Sequence, residues 1–405
     1  MPAQVAASAL AVRHSRIREL AEFAMAMDAS IADPKEKVLR LYFGESNLPT
    51  PEFIKRAAQK ALADGFTFYT ENAGIPSLRR AIARYYEDAH KVALDPEREI
   101  VITNSGVQAL NVGIRCTLDP GDEAIVLTPA WPNGSSNVEM CNAVVKQLPH
   151  PLRGDRYAID FDALEAAVTP RTRLLLYTSP SNPLGWVATE DEQKRLLEFA
   201  RKHNLWLMAD EVYERLYYPE SGLGKPVPSI LRFATREDSV IVIQSFSKSY
   251  CMTGWRIGWL VARKDLAERA ARLNEFIISH APSFGQRAAE EALLWGEQFV
   301  KEMLVRLKQN RDLCIALLSK VAGVTVPKPE GAFYLFPKIA GLTDSFAFCK
   351  QLLLDTKVGL APGVAFGEGG EGSVRLCYAA EREILERALP KIAEFAADFS
   401  AAPRR

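Results

Sequence analysis

The sequence predicts a wound α/β fold with a second, smaller α+β lobe, and three observations carry that expectation. Short apolar, β-branched runs alternate with segments of helical spacing through the middle of the chain, and each run ends in a polar or glycine-bearing loop. Beyond about Ala288 the pattern changes to long amphipathic helices with two short strand candidates among them. At 405 residues, 48% hydrophobic and 25% charged, the chain has the balance of an ordinary globular protein and is too long for one small core.

Taken in order, the first eighteen residues hold Arg13, Arg16 and Arg18 and no acid, which suits either a mitochondrial presequence or a helical arm packed on the protein. The arm is the better expectation, because the stretch is not serine-rich and runs straight into Glu19-Leu-Ala-Glu22. Buried strands are expected at 99–103, 123–127, 173–177, 205–209 and 240–243, with helices between them at 107–117 and 189–203. Ligands of such open sheets bind beyond the carboxyl ends of the strands, so the loops there are where chemistry is sought. Farther on, 297–321 is the longest helix, 332–336 and 373–377 are the strand candidates, and 363–372 is glycine-rich.

Net charge is zero and the charges are dispersed, which favours a small-molecule partner over nucleic acid or an anionic membrane. No apolar run approaches the roughly 20 residues that span a bilayer. The six cysteines, Cys116, Cys141, Cys251, Cys314, Cys349 and Cys377, form no Cys-x-x-Cys pair, so neither a metal site nor a disulfide framework is expected. A reducing, cytoplasmic setting fits.

The loops carry the candidates. Lys248 lies in Ser245-Phe-Ser247-Lys248-Ser-Tyr-Cys-Met-Thr-Gly-Trp-Arg256, where burial near other cations would free its amine to attack a carbonyl, and Ser245, Ser247 and Arg256 suit phosphate oxygens. Asp210, with Glu211 beside it and Tyr213 three residues on, ends a strand; alone, the pair reads equally as a helix cap with a packing tyrosine. Asn182 precedes a proline and is held away from helix with its amide free to donate. Ser105-Gly106-Val107 opens a helix and presents backbone N–H groups to an anion. Trp131 sits in a proline-flanked loop, and Arg375 is a cation on an otherwise apolar strand, costly unless a carboxylate pairs with it.

Together these motifs resemble fold-type I pyridoxal-phosphate enzymes, the aspartate aminotransferase superfamily of class I and II aminotransferases. The resemblance spans residues 44 to 375 and implies a large domain with a central, mostly parallel seven-stranded sheet, plus a smaller α+β domain built from both termini. The expected division is 1–58 for the arm and part of the small domain, 59–295 for the large domain and 296–405 for the rest of the small one. It implies pyridoxal 5'-phosphate held as an imine, the internal aldimine, on Lys248, with Asp210 on the ring nitrogen, Tyr213 and Asn182 on the phenolic oxygen, and Trp131 stacked on the ring. Ser105, Gly106, Val107, Ser245, Ser247 and Arg256 are then the phosphate contacts, and Tyr69 reaches the phosphate of a neighbouring subunit in a homodimer with shared sites. Gly44 and Arg375 bind the substrate's α-carboxylate, beside Trp131 and Asn182.

That family moves an amino group from an L-amino acid to a 2-oxo acid in a ping-pong cycle, with Lys248 as the proton carrier. The donor stays open: aspartate, alanine and an aromatic or neutral amino acid are all candidates, with glutamate and 2-oxoglutarate expected for one half-reaction. Val107 stands where part of the aspartate branch has a lysine for the distal carboxylate, and 277–284 offers His280 but no arginine. Tyr42, Phe43, Phe333 and Tyr334 could line an aromatic pocket or belong to the core. The same residues run β-elimination in cysteine-conjugate lyases and ring closure in aminocyclopropane-carboxylate synthases, so a lyase is the alternative.

Overall fold

The structure, a computed structural model, describes residues 4–401 apart from Ala11 and Arg13. Arg13, one of the arginines behind the presequence reading, therefore lies outside the described residues.

Seven strands form the large sheet: β1 (Ile100–Thr103), β2 (Glu123–Thr128), β3 (Val144–Pro149), β4 (Thr172–Thr178), β5 (Trp206–Asp210), β6 (Val240–Ser245) and β7 (Gly258–Ala262). Their spatial order is β1-β7-β6-β5-β4-β2-β3, parallel throughout except β7, which runs antiparallel to both neighbours. Five of these strands are the expected apolar runs, shifted by no more than two residues at either end. Side-chain alternation supplies both faces of the sheet. Ile102, Ile125, Leu175, Leu207 and Val242 join one apolar layer, and Val101, Val126, Leu174, Met208 and Ile241 the other.

Strand β3 escapes sequence reading because it lies at the sheet edge. Its Val-Val-Lys-Gln-Leu-Pro is only partly buried, so it lacks the apolar run of the central strands. β7 is fully buried but follows Arg256 so closely that it reads as part of the lysine loop.

Helix Glu190–His203 shows how local sequence sets an element. Thr189 and Glu192 close a capping box, three acids occupy the first turn, three basic residues the last, and Asn204 ends it in the left-handed conformation. The longest helix, Glu297–Leu318, stops three residues short of the expectation.

Elements from both termini make the smaller α+β part. Leu39–Arg40 pairs in parallel with Val358–Gly359. Tyr334–Leu335, Val374–Cys377 and Ala361–Pro362 form a three-stranded antiparallel sheet. The N-terminal stretch forms helix Arg16–Asp28, capped by Ser15, and its Ile17, Leu20, Ala21 and Ala24 are buried in the core. No helix of the described residues is long and apolar enough to cross a membrane.

Candidate active site

Five strands of the large sheet, β1, β2, β4, β5 and β6, deliver site residues at their carboxyl ends. After β1, Ser105 adopts φ +83°, a costly conformation for a residue with a side chain, and helix Gly106–Arg115 begins on the next residue. The strained turn brings the first amides of that helix against β7. A Cβ on Gly258 would sit 2.5 Å from the Gly106 nitrogen, so this approach requires glycine. After β6, Ser245 caps the one-turn helix Phe246–Ser249, its Oγ accepting from the Ser247 nitrogen at 3.2 Å and donating to Ser247 Oγ at 2.9 Å. Arg256 takes the left-handed conformation, lines the same cavity as these hydroxyls, and donates to the Thr253 carbonyl at 2.6 Å. Two hydroxyls, an arginine and the start of a helix make a donor set for a phosphate.

Lys248 lies on the same one-turn helix. Its Nζ donates to the Gly44 carbonyl at 2.7 Å and lies 5.8 Å from the centre of the Tyr213 ring. Burial, and then the positive Arg375 and Arg256, push its pKa down to about 8. Gly44 has no room for a side chain, since a Cβ would lie 2.3 Å from the Tyr334 hydroxyl.

Asp210 ends β5 buried, and among the described residues its carboxylate accepts only the Val212 N–H, at 3.3 Å. Burial pushes its pKa up to about 6, against the opposing pull of Lys248. The Tyr213 hydroxyl shares a 2.7 Å hydrogen bond with that of Tyr334. Asn182 is less free than its sequence position suggests. Its Nδ2 stands 3.4 Å from the Tyr213 oxygen, and its Oδ1 already accepts from Arg375.

Arg375 is 2% exposed, and no carboxylate of the described residues pairs with it. It donates to Asn182 Oδ1 at 2.9 Å and to the Tyr42 carbonyl at 2.5 Å, with Tyr334 and Phe366 packed on its guanidinium and Nε without a hydrogen-bond partner among the described residues. A buried cation left in that condition is set for an anionic ligand.

One cavity of about 1360 Å³ collects Gly44, Ser105, Gly106, Val107, Trp131, Asn182, Asp210, Tyr213, Ser245, Ser247, Lys248, Arg256 and Arg375. Tyr69 stands outside it, 88% exposed and edge-on to His280 at 5.7 Å. His280 likewise does not line the cavity of its own chain. Phe333 is fully buried core, whereas Tyr42, Phe43 and Tyr334 do line the cavity. Sequence reasoning missed 14–19, where Ile17 and Arg18 form part of the wall, and Ser135 and Ser136 on helix Asn133–Met140. Nothing in their local sequence marks them; their place follows from how distant segments pack.

The donor set matches one cofactor in charge and shape. A phosphate suits the Ser245, Ser247, Arg256 and Gly106 cradle, a protonated ring nitrogen suits the under-partnered Asp210 carboxylate, and an aldehyde suits the low-pKa Lys248 amine. The family model "Aminotransferase class I and II" matches residues 36–392. The chain is 34% identical over 392 residues to an aspartate aminotransferase of Pyrococcus horikoshii, covering 96% of each. It is 33% identical to aromatic-amino-acid aminotransferase 2 of Thermococcus litoralis, covering 94% of this chain and 95% of the relative. The solved aspartate aminotransferase of Thermus thermophilus with maleate superposes with a TM-score of 0.88 at 31% identity, covering 97% of this chain and all of that one. The chain accordingly belongs to the class I and II aminotransferases, and it is a pyridoxal-phosphate-dependent transferase of the fold-type I architecture.

Proposed function

We propose that this cavity moves an amino group from an L-amino acid to a 2-oxo acid in two successive half-reactions that use the same residues. Bound pyridoxal phosphate supplies an electron sink that makes the substrate's α-proton acidic. The chain does the rest. Arg375 and the Gly44 backbone bind the α-carboxylate, which would supply the anion the buried guanidinium lacks. Asp210 holds a proton at the ring nitrogen, and Tyr213 with Asn182 orients the ring's phenolic oxygen. Ser105, Gly106, Val107, Ser245, Ser247 and Arg256 anchor the phosphate, and Trp131 covers the ring. Lys248 Nζ, once neutral, takes the α-proton and returns it one atom away.

The single observation behind this reading is the pairing of a partly buried, low-pKa Lys248 with a buried Arg375 that no carboxylate of the described residues pairs with. Aspartate, alanine and a neutral or aromatic amino acid remain the donor candidates, with glutamate and 2-oxoglutarate serving one half-reaction. The wall supports that breadth, since Tyr42, Phe43 and Ile17 are apolar while Ser135, Ser136 and Arg18 are polar. We read the chain as a cytoplasmic homodimer with the domain division at residues 58 and 295. The exposure of Tyr69 supports the dimer, and the pairing of 39–40 with 358–359 supports a small domain drawn from both termini.

A panel of amino donors and 2-oxo acceptors tests this. Parallel double-reciprocal plots and stoichiometric amino transfer are expected, and pyruvate with ammonia released without any acceptor would establish a lyase instead. Lys248→Ala should lose transamination and the visible absorbance band of the loaded enzyme; substantial turnover by that variant would overturn the assignment.

A further inference from the structure

Beneath the floor of the site lies a buried polar cluster that the reaction leaves unused. After Asp210 the chain makes a turn in which the side chains divide: Asp210, Val212 and Tyr213 line the cavity, while Glu211 and Glu214, both buried, do not. Glu211 Oε1 accepts the Ile230 N–H at 2.9 Å, at the start of the short helix Ile230–Arg232. Glu214 Oε1 accepts the Tyr85 hydroxyl from helix Pro76–His90. His90, at the end of that helix, accepts the Ser229 N–H at its Nδ1 at 3.3 Å and brings its Nε2 to 3.2 Å from Glu214 Oε2, close as an ion pair but not aligned as a hydrogen bond. The turn is thus clasped from below on two sides, through the carboxylate before Tyr213 and the one after it.

The cluster is expensive. Glu211 Oε2, Glu214 Oε2, His90 Nε2 and Tyr86 OH are all buried without a hydrogen-bond partner among the described residues. Tyr86, Tyr177, Glu214 and His90 face Glu211, and of these only His90 can carry positive charge. An apolar turn of the same shape would avoid that cost, so retention of two carboxylates here calls for a role that apolar side chains cannot fill. Directional hydrogen bonds on either side of Tyr213 supply one, because they fix the rotation of the turn that aims Asp210 and Tyr213 into the cavity.

We propose that Glu211 and Glu214, with His90 and Tyr85, are positioning residues that hold the Asp210–Tyr213 turn at the cofactor ring. The inference rests on the reading of Asp210 and Tyr213 as cofactor contacts. Burial pushes the Glu211 pKa up to about 7, yet its accepted hydrogen bond from Ile230 needs only a carbonyl-type oxygen and so persists in either protonation state.

The test measures pyridoxal-phosphate affinity by fluorescence titration, the pH midpoint of the visible band, and kcat and KM per loaded site. Glu211→Ala should weaken cofactor affinity about tenfold, shift the visible-band midpoint and lower kcat at least tenfold, with KM for the amino donor within about twofold. Glu211→Gln, whose amide oxygen can take the Ile230 N–H, should recover all three to within about threefold. Tyr85→Phe, a mild change that deletes one clasp, should shift affinity and kcat in the same direction as Glu211→Ala, by about threefold. Glu211→Ala and Tyr85→Phe both loading and turning over like the parent would overturn the proposal, as would a Glu211→Gln as impaired as the alanine variant. These outcomes separate from the underlying reading of Asp210 and Tyr213 as cofactor contacts, which fails if Asp210→Asn and Tyr213→Phe load pyridoxal phosphate and turn over like the parent, whatever the Glu211 variants do.

Discussion

Arg375 and Asp210 each keep a charge in a place where the folded chain gives it little in return. Replacing Arg375 by Leu removes a buried guanidinium with an orphaned Nε. The cofactor-free protein should become more stable, by about 1–4 kcal/mol in denaturant titration, while kcat/KM falls by about 10²-fold or more through a raised KM. Unchanged KM for every amino donor would show that another group binds the carboxylate. Asp210 carries a pH signature as well. Its folded pKa of about 6 lies above the ordinary 3.8, so the folded chain binds the extra proton between those values. Stability from this group is present below about pH 4 and is lost as pH rises through 6, at about 1.4 kcal/mol per pH unit. Asp210→Asn should therefore raise the melting temperature of the cofactor-free protein at pH 8, with no gain at pH 4, and cut kcat by roughly 10²-fold. Equal melting temperatures at pH 8 would contradict the buried-charge account. The types and order of these residues were visible in the sequence; the missing carboxylate partner of Arg375 was not, because it depends on what every other element brings nearby.

Among the elements, helix Glu190–His203 is the one most fully written into its own sequence. Its capping box satisfies two helix-end N–H groups, so Thr189→Ala should cost about 1 kcal/mol in unfolding experiments and leave kcat per loaded site unchanged. A variant as stable as the parent would show the cap to be redundant. The central strands were legible for a similar reason, since burial on both faces makes a continuous apolar run. Strand β3 was not legible, because an edge strand half open to solvent has no such run. The N-terminal helix shows the opposite limit: its amphipathic pattern predicted a packed arm, but nothing in that pattern said that Ile17 and Arg18 would reach the cavity wall.

For the whole molecule the open question is which residues complete a site across two chains. Tyr69, 88% exposed and away from its own cavity, serves the proposed dimer only if it reaches the neighbouring phosphate. Mixing Lys248→Ala chains with Tyr69→Ala chains, each inactive or nearly so, should restore about a quarter of the parent activity, because half of the dimers are hybrids and each hybrid has one intact site of two. No recovery on mixing, with hybrids shown to form, would place Tyr69 outside the site. By itself the sequence determined the class of chemistry: a lysine, an aspartate, an asparagine and two arginines stand at strand and loop positions that each read from a few neighbouring residues. Tertiary structure alone decided the electrostatics, leaving Arg375 without a carboxylate among the described residues, lowering the Lys248 pKa and raising that of Asp210. It also decided which distant segments wall the cavity. Both follow from burial and from the company of residues hundreds of positions apart, which no local pattern encodes.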